Sequence, residues 1–308
     1  MRARTRVIAV VGPTGVGKTD VAEQLALGLR GEIVTADSMQ VYRGMDIGTA
    51  KRPPEERRVP HHCIDLVGPG EPYSAALYQS DARSAIDDIA ARGGTPIVCG
   101  GTGLYLRAAL DDWAFPPGAA ATPERARFEA LAEELGPVGV HGLLAETDPE
   151  AAALIHPNNV RRVIRALEMS ASGTLYSEQA RRFAQRVGVY DTTILGLDAA
   201  RPALYERIEA RVDRMMEDGL LAEVEGLLAA GYRDALTAAA AIGYKELVPV
   251  IEDGADVDEA VAAIKQATRR YAKRQLGWFR ADPRVRWLDV TALTPRDAAS
   301  QGYALVES

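Results

Sequence analysis

Val7-Ile8-Ala9-Val10-Val11-Gly12-Pro13-Thr14-Gly15-Val16-Gly17-Lys18-Thr19 joins a short apolar, β-branched run directly to the pattern G-x-x-x-x-G-K-T. The run reads as a buried strand. Residues 19–29 read as a helix, because Val21, Leu25 and Leu29 recur one turn apart. The glycine-rich stretch therefore lies between strand and helix, where a phosphate loop works. Its glycines let backbone N–H groups turn inward, the helix N-terminus adds a positive dipole end, Lys18 neutralises a terminal phosphate, and the Thr19 hydroxyl can ligate Mg²⁺. A strand-to-helix turn that binds nothing is the bland alternative, and the flanking elements argue against it. The loop specifies a diphosphate but not its carrier, so nucleotide kinases, ATPases and prenyl-diphosphate transferases all stay open.

Working outward, residues 33–36 and 96–99 are further Val/Ile-rich runs bounded by Gly, Thr or Asp, and residues 78–90 repeat apolar positions at helical spacing. Strand, helix, strand is the grammar of an α/β, P-loop NTPase-like, doubly wound parallel sheet. From Asp112 the texture changes: Phe115-Pro116-Pro117-Gly118 is a breaker, and the residues to about 186 read as helices with no strand. We expect a core of residues 1–112, a helical insertion over 113–186, and completion of the core over 187–308. That last part should contain a strand at 192–197, helices at 201–219, 220–230 and 257–280, and a strand at 285–290. The strand at 96–99 runs into Gly100-Gly101-Thr102 without the acid that a Walker-B strand offers to Mg²⁺, which disfavours an ATP hydrolase.

Composition adds exclusions. The two cysteines, Cys63 and Cys99, are too few and too far apart for a disulfide framework or a four-ligand zinc site. Arg2, Arg4 and Arg6 precede an apolar run too short for a signal peptide, and no stretch has the length of a membrane span, so a cytoplasmic monomer is expected. Net charge is −7, with 36 Lys plus Arg against 43 Asp plus Glu, yet residues 267–280 carry Arg269, Arg270, Lys273, Arg274 and Arg280 with no acid among them. On one helix the first four form two i,i+4 pairs, a stripe able to track a phosphate backbone, although a plain solvated face has the same pattern.

After the second strand comes Asp37-Ser38-Met39-Gln40-Val41-Tyr42-Arg43-Gly44-Met45-Asp46-Ile47-Gly48-Thr49-Ala50-Lys51. Together with the loop, Gly100-Gly101-Thr102-Gly103-Leu104-Tyr105, His156-Pro157-Asn158-Asn159-Val160-Arg161-Arg162-Val163-Ile164-Arg165-Ala166-Leu167-Glu168 and Lys273-Arg274-Gln275-Leu276-Gly277-Trp278-Phe279-Arg280, this stretch resembles the tRNA dimethylallyltransferase family in its bacterial form. The resemblance spans about residues 7–280. Departures are small: Cys63 stands where a larger aliphatic residue is usual, Arg52 where proline is usual, and Gly277 where a hydroxyl residue is more common. The resemblance implies dimethylallyl diphosphate as donor, Mg²⁺ as cofactor and the anticodon arm of tRNA as partner. The acceptor would be the adenosine just 3′ of the anticodon.

Transfer of an allylic group to an exocyclic amine needs a neutralised diphosphate, an aligned allylic carbon and removal of the amine proton. Lys18 and Thr19 suit the first need, and the resemblance adds Arg211 as a diphosphate contact. Asp37, at the carboxyl end of a strand, is the natural general base, with capping the next turn or holding Mg²⁺ through water as alternatives. By resemblance Thr102 contacts the target nucleotide, though a helix N-cap looks the same in sequence, and Arg125 helps the site, though a merely solvated arginine in a first turn has the same pattern. The resemblance also assigns Ser38, Met39, Gln40, Arg161, Arg162, Arg165, Ile242, Gly243, Tyr244 and Lys245 to tRNA. Tyr42 either stacks on a flipped base or packs in the core. His61, His62 and His156 read as structural, and Trp278 and Trp287 as packing residues.

Overall fold

The computed structural model describes residues 4–115, 122–234 and 237–307. It divides into two compact units, one of residues up to Asp111 and from Gly188 onward, the other Asp112–Val187.

The first unit begins with β1 (Arg6–Val11), α1 (Lys18–Leu29), β2 (Gly31–Thr35), a two-residue edge strand β3 (His61–His62), α2 (Ala75–Ala91), β4 (Thr95–Gly100) and α3 (Gly103–Leu110). The second unit holds α4 (Pro123–Thr147), α5 (Pro149–Leu154), α6 (Val160–Ala171) and α7 (Tyr176–Ala184). The first then resumes with β5 (Asp191–Asp198), α8 (Arg201–Glu217), α9 (Leu220–Ala229), α10 (Val248–Asp253), α11 (Val257–Arg280), β6 (Val285–Asp289) and α12 (Pro295–Glu307). Elements β3, α10 and α12 have no counterpart in the expectations above. Strand β3 is too short to carry a period, the six-residue α10 buries no residue, and α12 contributes only Ala298, Ala299 and Val306 to the core.

All pairings in the sheet are parallel, in the order β3-β2-β4-β1-β5-β6. Residues Val7 to Val11 are wholly buried, as a central strand covered on both faces should be, and each Val or Ile side chain among them contributes about 2 kcal/mol. The core above β1 joins Ile8 and Val10 to Val21 and Leu25 of α1, Ile33 of β2, Leu195 and Leu197 of β5, and Leu204 and Ile208 of α8. Because β4 lies between β1 and β2, the chain leaves β1 in one direction and β5 in the other. A crevice opens outside the strand ends at that reversal.

The helical unit has its own core of Phe128, Val140, Leu144, Val163, Ile164 and Leu167. Helix α4 breaks at Gly136, whose φ of 69° ends one helical run before Pro137 opens the next. The breaker residues Pro116, Pro117 and Gly118 lie outside the described residues. In the first unit, Asp111 and Gly188 form an antiparallel bridge. Asp111 is fully buried there, with Arg107 and Arg284 each 2.6 Å from its carboxylate.

Candidate active site

The phosphate loop follows β1 and caps α1 with Gly17 at φ 93°, a left-handed turn that frees the N–H groups of the first helical turn. Loop residues Thr14 to Thr19 line a cavity of about 880 Å³, within the range of small-molecule sites. Lys18 Nζ donates to Pro13 O at 2.8 Å. Burial lowers its pKa to about 8, with Cys99 and Asp37 acting in the opposite sense. The Cys99 thiol beneath it is pushed up to about 12 by burial.

Asp37 follows β2 and lines the same cavity. Its Oδ1 accepts the Met39 N–H at 2.9 Å, so the carboxylate both caps the following turn and faces the cavity. The capping alternative posed in sequence is thus observed, and it leaves the carboxylate open to the cavity. Gln40 also lines the cavity and donates from Nε2 to Thr49 O at 3.0 Å.

Helix α8 brings Arg207, Arg211 and Arg214 to the cavity at i, i+4 and i+7. Burial pulls Arg211 below the ordinary arginine range, and nearby Asp37 works against that shift. Only Arg211 was expected; the spacing of all three was legible, but nothing in sequence says which face of α8 looks inward. Tyr271 of α11 is a further lining residue the sequence reading passed over, its phenol raised to about 12 by burial and by Asp37.

Thr102 occupies the N-cap position of α3 but makes no cap hydrogen bond. Its Oγ1 instead accepts the Ser38 N–H at 3.1 Å and lies 3.4 Å from Ser38 Oγ, which ties the end of β4 to the turn carrying Asp37. Gln275 of α11, also unforeseen, accepts the Thr14 N–H at 2.8 Å and donates to Gly101 O at 3.0 Å. Helix α11 comes this close because a Cβ at Gly101 would lie 2.1 Å from Gln275, and one at Gly103 only 2.0 Å from Trp278.

Several expectations need correction. Tyr244, expected at the RNA surface, is fully buried and donates to Glu223 at 2.6 Å, so its ring faces the protein interior. Glu223 also accepts the N–H groups of Asp46, Ile47 and Gly48 at 3.0, 2.7 and 3.2 Å, so the Tyr244 segment braces the cavity rim. Of its neighbours, Gly243 is buried, Ile242 half-buried and Lys245 exposed. Tyr42 is core. Trp278, expected to pack, is 47% exposed. Arg269 leaves the basic stripe to pair with Glu209 at 2.5 Å, which leaves Arg270, Lys273 and Arg274 as the exposed ridge of α11.

In the helical unit, Arg161 and Arg162 are exposed, Arg165 approaches Glu168 at 3.6 Å, and Arg125 pairs with Glu129 at 2.9 Å. His61 meets Glu23 at 3.1 Å, His62 meets Glu32 at 2.7 Å, and His156 accepts the Asn158 N–H. No group of three or more His, Cys, Asp or Glu suited to a metal occurs among the described residues. Arg52, at its atypical position, pairs with Asp20 and Glu23 at the cavity wall.

A loop of this kind on a sheet of this strand order defines a P-loop-like α/β protein, with arginines and a strand-end carboxylate facing one cavity beside the loop. Residues 40–282 match the family model described as IPP transferase, and the chain belongs to that family. It is 49% identical to the tRNA dimethylallyltransferase of Geobacillus thermodenitrificans over 93% of this chain and 91% of that protein. It is 48% identical to the Bacillus anthracis protein of the same name, over 94% and 92%.

Among solved structures, the tRNA delta(2)-isopentenylpyrophosphate transferase of Staphylococcus epidermidis superposes with a TM-score of 0.72 at 38% identity, covering 99% of both chains. A eukaryotic dimethylallyltransferase acting on tRNA gives 0.81 at 31% identity, covering 98% of this chain and 78% of that one.

Proposed function

We propose that this chain transfers the dimethylallyl group of dimethylallyl diphosphate to N6 of the adenosine 3′-adjacent to the anticodon of tRNA, releasing diphosphate. The observation that carries the reading is the opening of Lys18, Arg211 and Asp37 into one cavity. A cationic cradle for a leaving diphosphate and a carboxylate able to take a proton are what amine allylation requires.

In this reading the backbone of the loop, Lys18 and Arg211 grip the diphosphate, the planar guanidinium taking two oxygens together. The N6 lone pair forms the new bond to the allylic carbon as the carbon–oxygen bond breaks. The electron pair leaves with diphosphate, and the N6 proton passes to Asp37. Ser38 and Thr102 hold the acceptor side, with Met39 and Gln40 beside it. The ridge of Arg270, Lys273 and Arg274, together with Arg125, Arg161, Arg162 and Arg165, would meet the phosphates of the anticodon arm in the cytoplasm. A single-stranded loop lets the adenosine be splayed out of its stack.

The donor set fits Mg²⁺: one hydroxyl, Thr19, in a cavity that also holds Asp37 offers hard oxygens without a protein cage, the mode in which Mg²⁺ keeps waters and binds substrate phosphates. Thr19 would hold the ion, and the ion would neutralise the diphosphate. No helix among the described residues is long and apolar enough to cross a membrane.

The test is incorporation of label from dimethylallyl diphosphate, with Mg²⁺, into unmodified tRNA and, in a parallel reaction, into AMP. Label in tRNA alone is expected; label in AMP alone would move the acceptor to free nucleotides. Asp37→Asn should cut kcat by about 10³-fold while tRNA affinity stays within about threefold, since it removes the base and not the RNA contacts.

A further inference from the structure

Strands β1 and β4 pair as far as Val11 opposite Gly100 and then part, β1 into the phosphate loop and β4 into the Gly101–Thr102 turn. Just beyond that last pair, one side chain spans the gap. Gln275 takes the Thr14 N–H on Oε1 at 2.8 Å and gives Nε2–H to Gly101 O at 3.0 Å, at only 5% exposure. Thr14 and Gly101 carry the opposite halves of a peptide hydrogen-bond pair, and a side-chain amide can complete both at once. A carboxylate lacks the donor, and an aliphatic group lacks both. The absent Cβ of Gly101 is what admits Gln275, since an added one would stand 2.1 Å from Nε2.

What lies on either side gives the bridge its meaning. Thr14 opens the part of the loop that lines the cavity, and Thr102, one residue past Gly101, holds the Ser38 N–H next to Asp37. We propose that Gln275 is a positioning residue: its amide sets the phosphate loop against the Gly101–Thr102 turn, and so aligns the donor's leaving group with the acceptor amine and its base. This rests on the transfer reaction proposed above. Gln275 need touch neither substrate.

Three measurements test it. In Gln275→Met, similar in volume, kcat with both substrates saturating should fall about 10²-fold, because misplacement of the order of 1 Å costs that much. Inhibition by pyrophosphate should stay within about threefold, and the unfolding midpoint within about 4 °C. A kcat within about threefold of wild type overturns the proposal. So does a parallel collapse of kcat, pyrophosphate affinity and midpoint, which marks ordinary packing.

Gly101→Ala attacks the same bridge from its other end and should slow kcat comparably. The double variant Gly101→Ala/Gln275→Ala should be no slower than the slower single one, whereas losses that multiply would mean two independent roles.

Amide exchange at Thr14 reads the bridge without any turnover: it should be slow in the wild-type chain and about tenfold or more faster in Gln275→Met. Equal exchange overturns the bridge. Should the wild-type chain transfer nothing to tRNA, the reaction proposed above fails, while Thr14 exchange still decides whether Gln275 positions the loop.

Discussion

Helices α8 and α11 both carry basic residues at helical spacing, and the two rows have opposite fates. On α8, Arg207, Arg211 and Arg214 line the cavity, and Arg211 is desolvated enough for its pKa to drop. On α11, Arg270, Lys273 and Arg274 stand in solvent, while Arg269, one residue away, is spent on Glu209. Charge count does not separate the rows, and Arg214 is itself exposed; what sets α8 apart is the cavity its arginines share and the desolvation of Arg211. A desolvated cation aimed at a fixed anion acts through short-range, oriented contacts, whereas an exposed ridge acts through screened, additive ones. The first suits a small diphosphate and the second a long polyanion.

That contrast breaks first, if it breaks, at Arg211. Arg211→Gln should lower kcat/KM for the donor by about 10²-fold, the loss of a charge-assisted pair of hydrogen bonds, with little change between low and moderate salt. Steady-state kinetics at two ionic strengths would check this, and a steep salt dependence would erase the distinction. The exposed row should behave otherwise. Replacing Arg270, Lys273 and Arg274 together by Gln should weaken tRNA binding about tenfold or more and lower the slope of log affinity against log salt by about 2 to 3, with pyrophosphate affinity unchanged. Filter binding across a salt series measures the slope, and an unchanged slope would show that RNA does not track this ridge.

A smaller effect sharpens the buried side. With Lys18 at about 8, the free site loses that cation as pH rises through 8, so pyrophosphate affinity should be full below about pH 7 and decline above 8, by at most about tenfold per unit. A bound diphosphate favours the charged form, so the pKa should be higher in the complex. Calorimetric titration from pH 6.5 to 9.5 gives the curve, and Lys18→Arg should flatten it.

The smallest effect separates brace from contact. Tyr244→Phe removes one hydrogen bond to Glu223 and should cost about 1 kcal/mol of stability, seen in denaturant melts, while tRNA affinity stays put. A drop in RNA affinity without loss of stability would restore Tyr244 to the interface.

What the sequence made legible follows the same line. The phosphate loop, Asp37 and the parallel sheet were readable because their signals are local: a strand, a glycine pattern and a helix in consecutive residues. Arg207 and Arg214 were in plain view at helical spacing, but which face of α8 turns inward depends on β5 and on the loop nearly 200 positions earlier. Gln275 was out of reach, since its partner Thr14 is 261 residues away. Tyr244 and Trp278 misled in opposite directions. Both sit in segments that resemble the family's, and resemblance identifies a segment without saying which way each ring points. Thr102 shows the remaining ambiguity: a threonine before a helix looks like a cap, and only the position of Ser38 reveals that its hydroxyl is engaged elsewhere.

The bridge between Asp111 and Gly188 has a consequence for how such a chain can be altered. The polypeptide departs from the first unit and returns to it at adjoining points, with Asp111 anchored by two arginines. Neighbouring residues on antiparallel backbone can be joined by a two-residue turn. The whole excursion from Asp112 to Val187 thus enters the chain at a single address, and shortening it to a turn would leave the order of strands in the sheet unchanged.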